Sequence, residues 1–337
     1  MSRLLTLLVI AAAGVDAQSY TATYDPANLP PTTEGDQAGT NQCGTGNNDT
    51  SLCQNVYINN VQDFCLWGPQ TTAEIGAVEQ IVVSYCTFPG RGTRLIHDGV
   101  LLSAHFVETP DYIQVTGTGN FQNINIAAGD AGGELDPHGA DGAGNPHGGL
   151  VFTNRWNNGT NGLGQQIHEW TNFMSVSQYC IRACKPGPMA AAWCQHIYDV
   201  TGCAWNMPAD YGEGFTECKG DSGIPMGLYP QPDGSTSTFH QGEGATPPAH
   251  PAPSTSACTT YQSSSLYAPT AFATASANAA ATFGVATRSG TTAVPSSTQL
   301  NNSAGSVRPT LFALGSAMPC LIVTSLLGVF AAVGILL

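Results

Sequence analysis

Ser222 lies within Cys218–Pro225, CKGDSGIP, one residue away from the Cys-x-Gly-Asp-Ser-Gly-Gly-Pro loop that presents a serine nucleophile. A serine hydroxyl attacks only when a histidine takes its proton and backbone N–H groups hold the oxyanion. His105, in the run VLLSAHF, precedes Ser222 in the chain and could be that base, with Asp111 or Asp130 as the orienting carboxylate. A second constellation is GDAGGELDPHGADGAGNPHGGLVF, Gly129 to Phe152. Asp136, His138, Asp141 and His147 offer oxygen and nitrogen donors on a Gly-rich loop able to wrap a cation, and His168 or Glu169 of the IHEW segment could close on the same point.

Each constellation has a plainer reading. His105 lacks the neighbouring cysteine of the Ala-Ala-His-Cys segment that chymotrypsin-like enzymes carry, and Ile224 replaces the second glycine of their loop. Gly220, Asp221 and Gly223 equally suit a tight turn tethered by Cys218. Asp, Asn, Gly and Pro make turns without any metal, so no bound cofactor is the simpler expectation for the loop around His138. Trp156, Trp170, Trp193 and Trp205, with Tyr179 and Tyr211, supply flat faces that could stack on sugars or fill a β core.

The ends predict where the chain works. MSRLLTLLVIAAAGVDA reads as a signal peptide over residues 1–17, with cleavage after Ala17. The resulting Gln18 excludes copper oxygenases that bind metal through an N-terminal histidine. Small residues around Asn302, Ser303 and Ala304, a short polar spacer and an apolar tail ending at Leu337 form the layout of a glycosylphosphatidylinositol (GPI) signal. Attachment is expected at Asn302, or Ser303, with 303–337 removed. The membrane partner would then be the GPI lipid, at the outer leaflet of the plasma membrane or after transfer to the cell wall.

Only 9% of the 337 residues are charged and the net charge is −14, which excludes a nucleic-acid partner because phosphates need Lys and Arg. Of the 11 cysteines, Cys320 lies in the tail. The remainder predict disulfides in an oxidising compartment rather than zinc thiolates: Cys43, Cys53, Cys65 and Cys86, then Cys180, Cys184, Cys194, Cys203 and Cys218, and finally Cys258. The second group is odd, so one bridge must leave it or reach Cys258.

These residues need elements to hold them. EQIVVSYC (79–86), GVLLSAHFVE (99–108), DYIQVTG (111–117) and FQNINIA (121–127) read as short strands. They imply a mainly β head, an antiparallel sandwich or barrel stapled by disulfides. One helix is expected near 190–200, with Trp193, Ile197 and Val200 on its buried face. The domain plan is an extended lead-in over 18–42, the head over 43–242 and a disordered Ser/Thr/Ala/Pro glycosylated stalk over 243–302. N-glycosylation sequons fall at Asn48, Asn158 and Asn301.

The segments TRLIHDG, HFVETPDYIQVTGTGNF, NIAAGDAGGELDPHGADGAGNPHGGLVF, IHEWTNFM, CQHIYDVTGCAWNMPADY and ECKGDSGIPMGLY, in order, resemble the fungal macrophage-activating glycoproteins of basidiomycetes. The resemblance covers most of the head and implies a secreted, surface-attached glycoprotein with a Ser/Thr-rich C-terminal region; it assigns no reaction. The expected role is structural or recognitional, with wall polysaccharide or a host immune lectin as partner, and non-enzymatic. The alternative is a surface enzyme acting on wall polymers through a metal in the His138 loop or through Ser222.

Overall fold

A computed structural model of the protein describes residues 22–157, 159 and 162–267. The signal segment, Asn158, Asn301, Asn302, Ser303 and the tract after Tyr267 lie outside the described residues. Among the described residues no helix is long and apolar enough to cross a membrane.

Two sheets share one core. The first contains β1 (Asn55–Asn60), β2 (Asp63–Gly68), β3 (Val83–Cys86), β4 (Arg94–Leu95), β8 (Leu150–Thr153) and β9 (Gln165–Ile167), in the order β4-β3-β2-β1-β8-β9. The second contains β5 (Ser103–Glu108), β6 (Tyr112–Thr118), β7 (Gly133–Leu135), β10 (Trp170–Met174), β11 (Gln178–Cys184), β12 (Gly214–Gly220) and β15 (Thr255–Tyr261), in the order β15-β12-β5-β6-β11-β10-β7. A separate ribbon pairs β13 (Leu228–Pro230) with β14 (Thr236–Thr238). The expected mainly β head is present, but the sheets are mixed. β1 runs parallel to β8, β3 to β4 and β5 to β12, which requires crossover connections instead of hairpins.

Strand alternation decides what faces the core. Phe64, Leu66, Ile113, Val115, Tyr179, Ile181 and Ala183 enter one shared apolar cluster. Across it, the Trp67 and Trp170 rings stand 5.9 Å apart, Phe64 and Tyr179 stack at 6.0 Å, and Phe121 meets Tyr179 edge-on at 5.6 Å. Burying each large apolar side chain contributes roughly 1.5–3 kcal/mol. The alternate residues of the second sheet point away from this core: His105, Gln114, Thr116, Thr171, Cys180, Arg182 and Cys184. Both cysteines of β11 sit at i and i+4, and so share that outer face.

Their partners cover it. Cys184 bonds Cys194 and Cys180 bonds Cys203, which pins the chain from 185 to 206 across the sheet. Beneath the cover the buried Arg182 donates from Nε to Gln114 Oε1 (2.8 Å) and from Nη1 to the Trp193 carbonyl (2.9 Å), and lies 4.0 Å over the Tyr112 ring. The remaining bridges are Cys43–Cys53, Cys65–Cys86 and Cys218–Cys258. Cys258 is thus the partner that the odd group required.

Several local expectations fail for identifiable reasons. The stretch 190–200 is not one helix: α1 spans Ala190–Trp193 and α2 spans Gly202–Asn206, because the Cys184–Cys194 bond ends the first turn. Trp193 is buried as expected, but Ile197 is exposed and Val200 is 82% exposed. The alternating run FQNINIA is not a strand. Phe121–Ile124 forms a 3-10 turn, and Asn125 takes φ 70° so that Phe121, Ile124 and Ile126 all turn inward. Its side-chain nitrogen then donates to Gln70 O (3.1 Å) and Tyr85 Oη (2.9 Å). In EQIVVSYC, Glu79–Ile81 is a 3-10 turn and the strand begins at Val83.

Ordered structure also passes the expected boundary at 242. β15 pairs with β12 from Phe215↔Tyr261 to Gly220↔Thr255, so the head runs to Tyr267. The lead-in is irregular, as composition implied, yet it is fastened to the head. Asn41 Nδ2 donates to Gly148 O and Asn55 Oδ1 (both 2.9 Å), and Tyr24 N–H to Gln166 Oε1 (2.7 Å).

The Cys218–Cys258 bridge spans 40 residues. Loss of a crosslink of that span costs about 4 kcal/mol through denatured-state entropy. The double variant Cys218→Ser/Cys258→Ser should lose that stability in denaturant titrations. It should also be nicked between β14 and β15 by a protease that leaves the native head intact.

Candidate functional site

Three histidine and carboxylate donors from separate segments meet at one edge of the outer face. His138, Glu169 and His196 each bring one ligand-capable atom within 4.8 Å of the others. His138 Nε2 is 3.5 Å from Glu169 Oε2, and the His138 and His196 rings stack with centroids 4.0 Å apart. Two imidazoles and a carboxylate form a donor set suited to borderline first-row metals.

Local chemistry explains each placement. Asp136 Oδ1 accepts the N–H groups of His138 (2.7 Å) and Gly139 (2.8 Å), a side-chain-capped turn completed by Gly139 at φ +60°. Asp136 and Asn145 exchange backbone hydrogen bonds that close the loop. Glu169 occupies the turn between β9 and β10 and is 5% exposed. Its carbonyl accepts the Cys184 N–H at 2.9 Å, and the Cys184–Cys194 bond then carries the chain to His196, two residues on. The bridge therefore fixes the distance between two of the three donors.

The surroundings are acidic. Burial first, then the Asp136 and Asp199 carboxylates, push Glu79 up from 4.5 to about 7. Burial drives Glu134 well above the ordinary carboxylate value, aided by a hydrogen bond with Asp199 and by Asp136. Glu134 Oε1 accepts from Thr171 Oγ1 at 2.8 Å. Burial and the neighbouring His138 lower the His196 pKa and favour a neutral ring. His196 Nδ1 is buried without a hydrogen-bond partner.

The structure regroups the residues that the sequence singled out. His138 belongs to the cluster, Asp136 caps its turn, and Glu169 is the member of IHEW that closes. His168 instead bonds Thr23 Oγ1 (3.0 Å) and Gln166 (3.4 Å). Asp141 lies 3.0 Å from His147 Nε2, while His147 Nδ1 meets Asp36 Oδ1 at 3.0 Å, a separate grouping. His196 was missed because CQHIYDV reads as helix interior; its position two residues past a disulfide cysteine was the available signal.

The serine arrangement does not assemble. His105 Nδ1 is 2.9 Å from Thr216 Oγ1 and Nε2 is 3.1 Å from Gly212 O, so both ring nitrogens are engaged away from Ser222. Ser222 Oγ is buried without a hydrogen-bond partner, and its carbonyl accepts from Tyr112 Oη at 3.0 Å. Asp130 caps the Ile75 and Gly132 N–H groups. His105 does line a cleft of about 340 Å³ with Asp210, Asp221 and Pro253, but Ser222 does not. Of the aromatic candidates, Trp170, Trp193, Trp205 and Tyr179 are buried, and Trp156 and Tyr211 are partly buried.

Fold and site together define a disulfide-stapled, two-sheet β protein with an acid–histidine cluster under a crosslinked cover. The chain is 50% identical over 252 residues to appressorium protein ROW2 of Mycosarcoma maydis, covering 72% of this chain and 84% of the relative. It is 53% identical over 224 residues to appressorium protein ROW1 of the same fungus, covering 66% of this chain and about half of that longer protein, 51%. The chain belongs to the family of these appressorium proteins, whose source is a basidiomycete smut fungus. No family model and no solved structure matches it.

A raised carboxyl pKa means that the folded state keeps a proton which the unfolded chain releases between 4.5 and about 7, so this group's contribution falls as pH rises through that window. His196, with its lowered pKa, acts in the opposite direction as pH falls below its unfolded value. The clean readout is therefore a difference. Glu79→Gln should raise Tm relative to the parent at about pH 7.5 and lose that advantage by about pH 5. A pH-independent difference would contradict the assignment.

Proposed function

We propose that this protein is a cell-surface or cell-wall glycoprotein of a fungus, held by a GPI lipid at the outer leaflet and serving a structural or recognition role there. The observation that carries this reading is the pairing of all the described cysteines into five disulfides, a state that an oxidising compartment sustains. The signal-peptide and GPI-like ends of the sequence support the same location, as do relatives named for the appressorium and the resemblance to macrophage-activating glycoproteins. Asn48 suits glycan attachment because it is exposed in a turn, its Oδ1 accepting the Thr50 N–H and hydroxyl, both at 2.8 Å. With Trp67, Trp170, Trp193 and Trp205 buried, a wall-polysaccharide or lectin partner would meet polar loops and attached glycans.

Phosphatidylinositol-specific phospholipase C applied to intact cells should release the protein, with a mature C-terminus at Asn302 or Ser303 by mass spectrometry. Retention, with the 311–337 segment present in the mature chain, would overturn the anchor. A second reading, a surface enzyme, is favoured at one point alone, the His138 cluster. For the serine alternative, a fluorophosphonate probe should leave the purified protein unlabelled; labelling that disappears in Ser222→Ala would reverse that ranking.

A further inference from the structure

We propose that His138, Glu169 and His196 form a binding site for one divalent transition cation of the zinc class. The site does not depend on how the protein is anchored, since it rests on geometry within the head.

The donors are of the right kind and nearly at the right spacing. Zinc bonds imidazole nitrogen and carboxylate oxygen at about 2.0–2.2 Å, so two donors on one tetrahedral ion stand about 3.3 Å apart. His138 Nε2 and Glu169 Oε2, at 3.5 Å, already match. One ring nitrogen of His196 lies within 4.8 Å of the donors of the other two residues and closes that distance when it shares the ion. Structural neighbours constrain every donor: the Asp136-capped turn for His138, the β9–β10 turn for Glu169 and the Cys184–Cys194 bond for His196. Supporting contacts of this type are what a metal site requires beyond its ligands.

A second observation points independently to a ligand. The His196 ring presents a buried nitrogen, Nδ1, that no hydrogen bond satisfies, although buried polar atoms are ordinarily paired. It lies against a second imidazole at 4.0 Å, in an acidic surrounding that includes Asp136, Glu169 and Asp199. A cation ligated by both rings and by Glu169 satisfies the nitrogens and offsets the negative charge together. Oxygen-seeking Ca²⁺ and Mg²⁺ are disfavoured, because two of the three donors are imidazole nitrogens.

The test uses the full chain produced through the secretory route, stripped with a chelator and dialysed. Zinc titrated against a chromophoric competitor should bind at one equivalent, and cobalt in its place should give the intense visible bands of a tetrahedral ion. His138→Gln, Glu169→Gln and His196→Gln should each weaken zinc on the order of 100-fold or more. His147→Gln and His168→Gln, outside the cluster, should leave affinity unchanged. Zinc should raise Tm in the parent and not in His196→Gln, with disulfide content and circular dichroism confirming that each variant folds. Absence of stoichiometric binding, affinity unchanged from the parent in His138→Gln or His196→Gln, or loss of binding in His147→Gln would overturn the proposal. Should a variant fail to fold, the cobalt spectrum of the parent still decides: octahedral bands, or none, reject the site.

Discussion

Strand β11 alternates between two environments, and the rest of the molecule follows from that alternation. Tyr179, Ile181 and Ala183 enter the core between the sheets, while Cys180, Arg182 and Cys184 face the other way. A sheet face carrying arginine, glutamine, threonine and histidine is a poor hydrophobic surface, so apolar packing alone would hold a cover on it weakly. Two disulfides from a single strand hold it instead. They allow the second sheet to be buried on both sides while its outer face stays polar.

This arrangement accounts for the character of the site. Burial makes Glu134 costly to ionise, and the half-buried Glu79 adds the charges of Asp136 and Asp199, so the pKa values of both carboxyls are raised. Because the cover is anchored at Cys194, His196 approaches Glu169 as a fixed neighbour rather than as a loop residue sampling many positions. The same outer face, further along, buries His105 between Thr216 and the Gly212 carbonyl, so the possible catalytic base is held by hydrogen bonds at both ring nitrogens.

The sequence showed class better than detail. Strands whose alternation matched a one-sided core, at 103–108 and 112–118, were legible because period and burial agreed. FQNINIA was misread because a 3-10 turn followed by a left-handed asparagine also buries Phe121, Ile124 and Ile126, so one pattern has two backbone solutions. Cysteine parity required a bridge out of the second group, to the first group or to Cys258, yet composition hid the strand around Cys258, since Thr-Ser-Ala-Cys-Thr-Thr-Tyr suits both a glycosylated tract and an edge strand. At the site, His138 and Glu169 were visible as donor types on loops. His196 was not, because its place depends on a crosslink between positions 184 and 194 that only three-dimensional proximity selects.

The strand that closes the second sheet also sets how the molecule carries load. A pull on the chain beyond Tyr267 reaches Leu266, buried in the shared core, and then β15, which lies along β12 and is bonded to it at Cys258. Tension would therefore reach β12 through a covalent bond, and pass through β12 into β5, its parallel partner near the middle of the sheet. Hydrogen bonds between such strands are strained together in shear instead of opening one after another from an end. The Cys218–Cys258 bond therefore ties the last strand of the head to the interior of the sheet covalently as well as through hydrogen bonds.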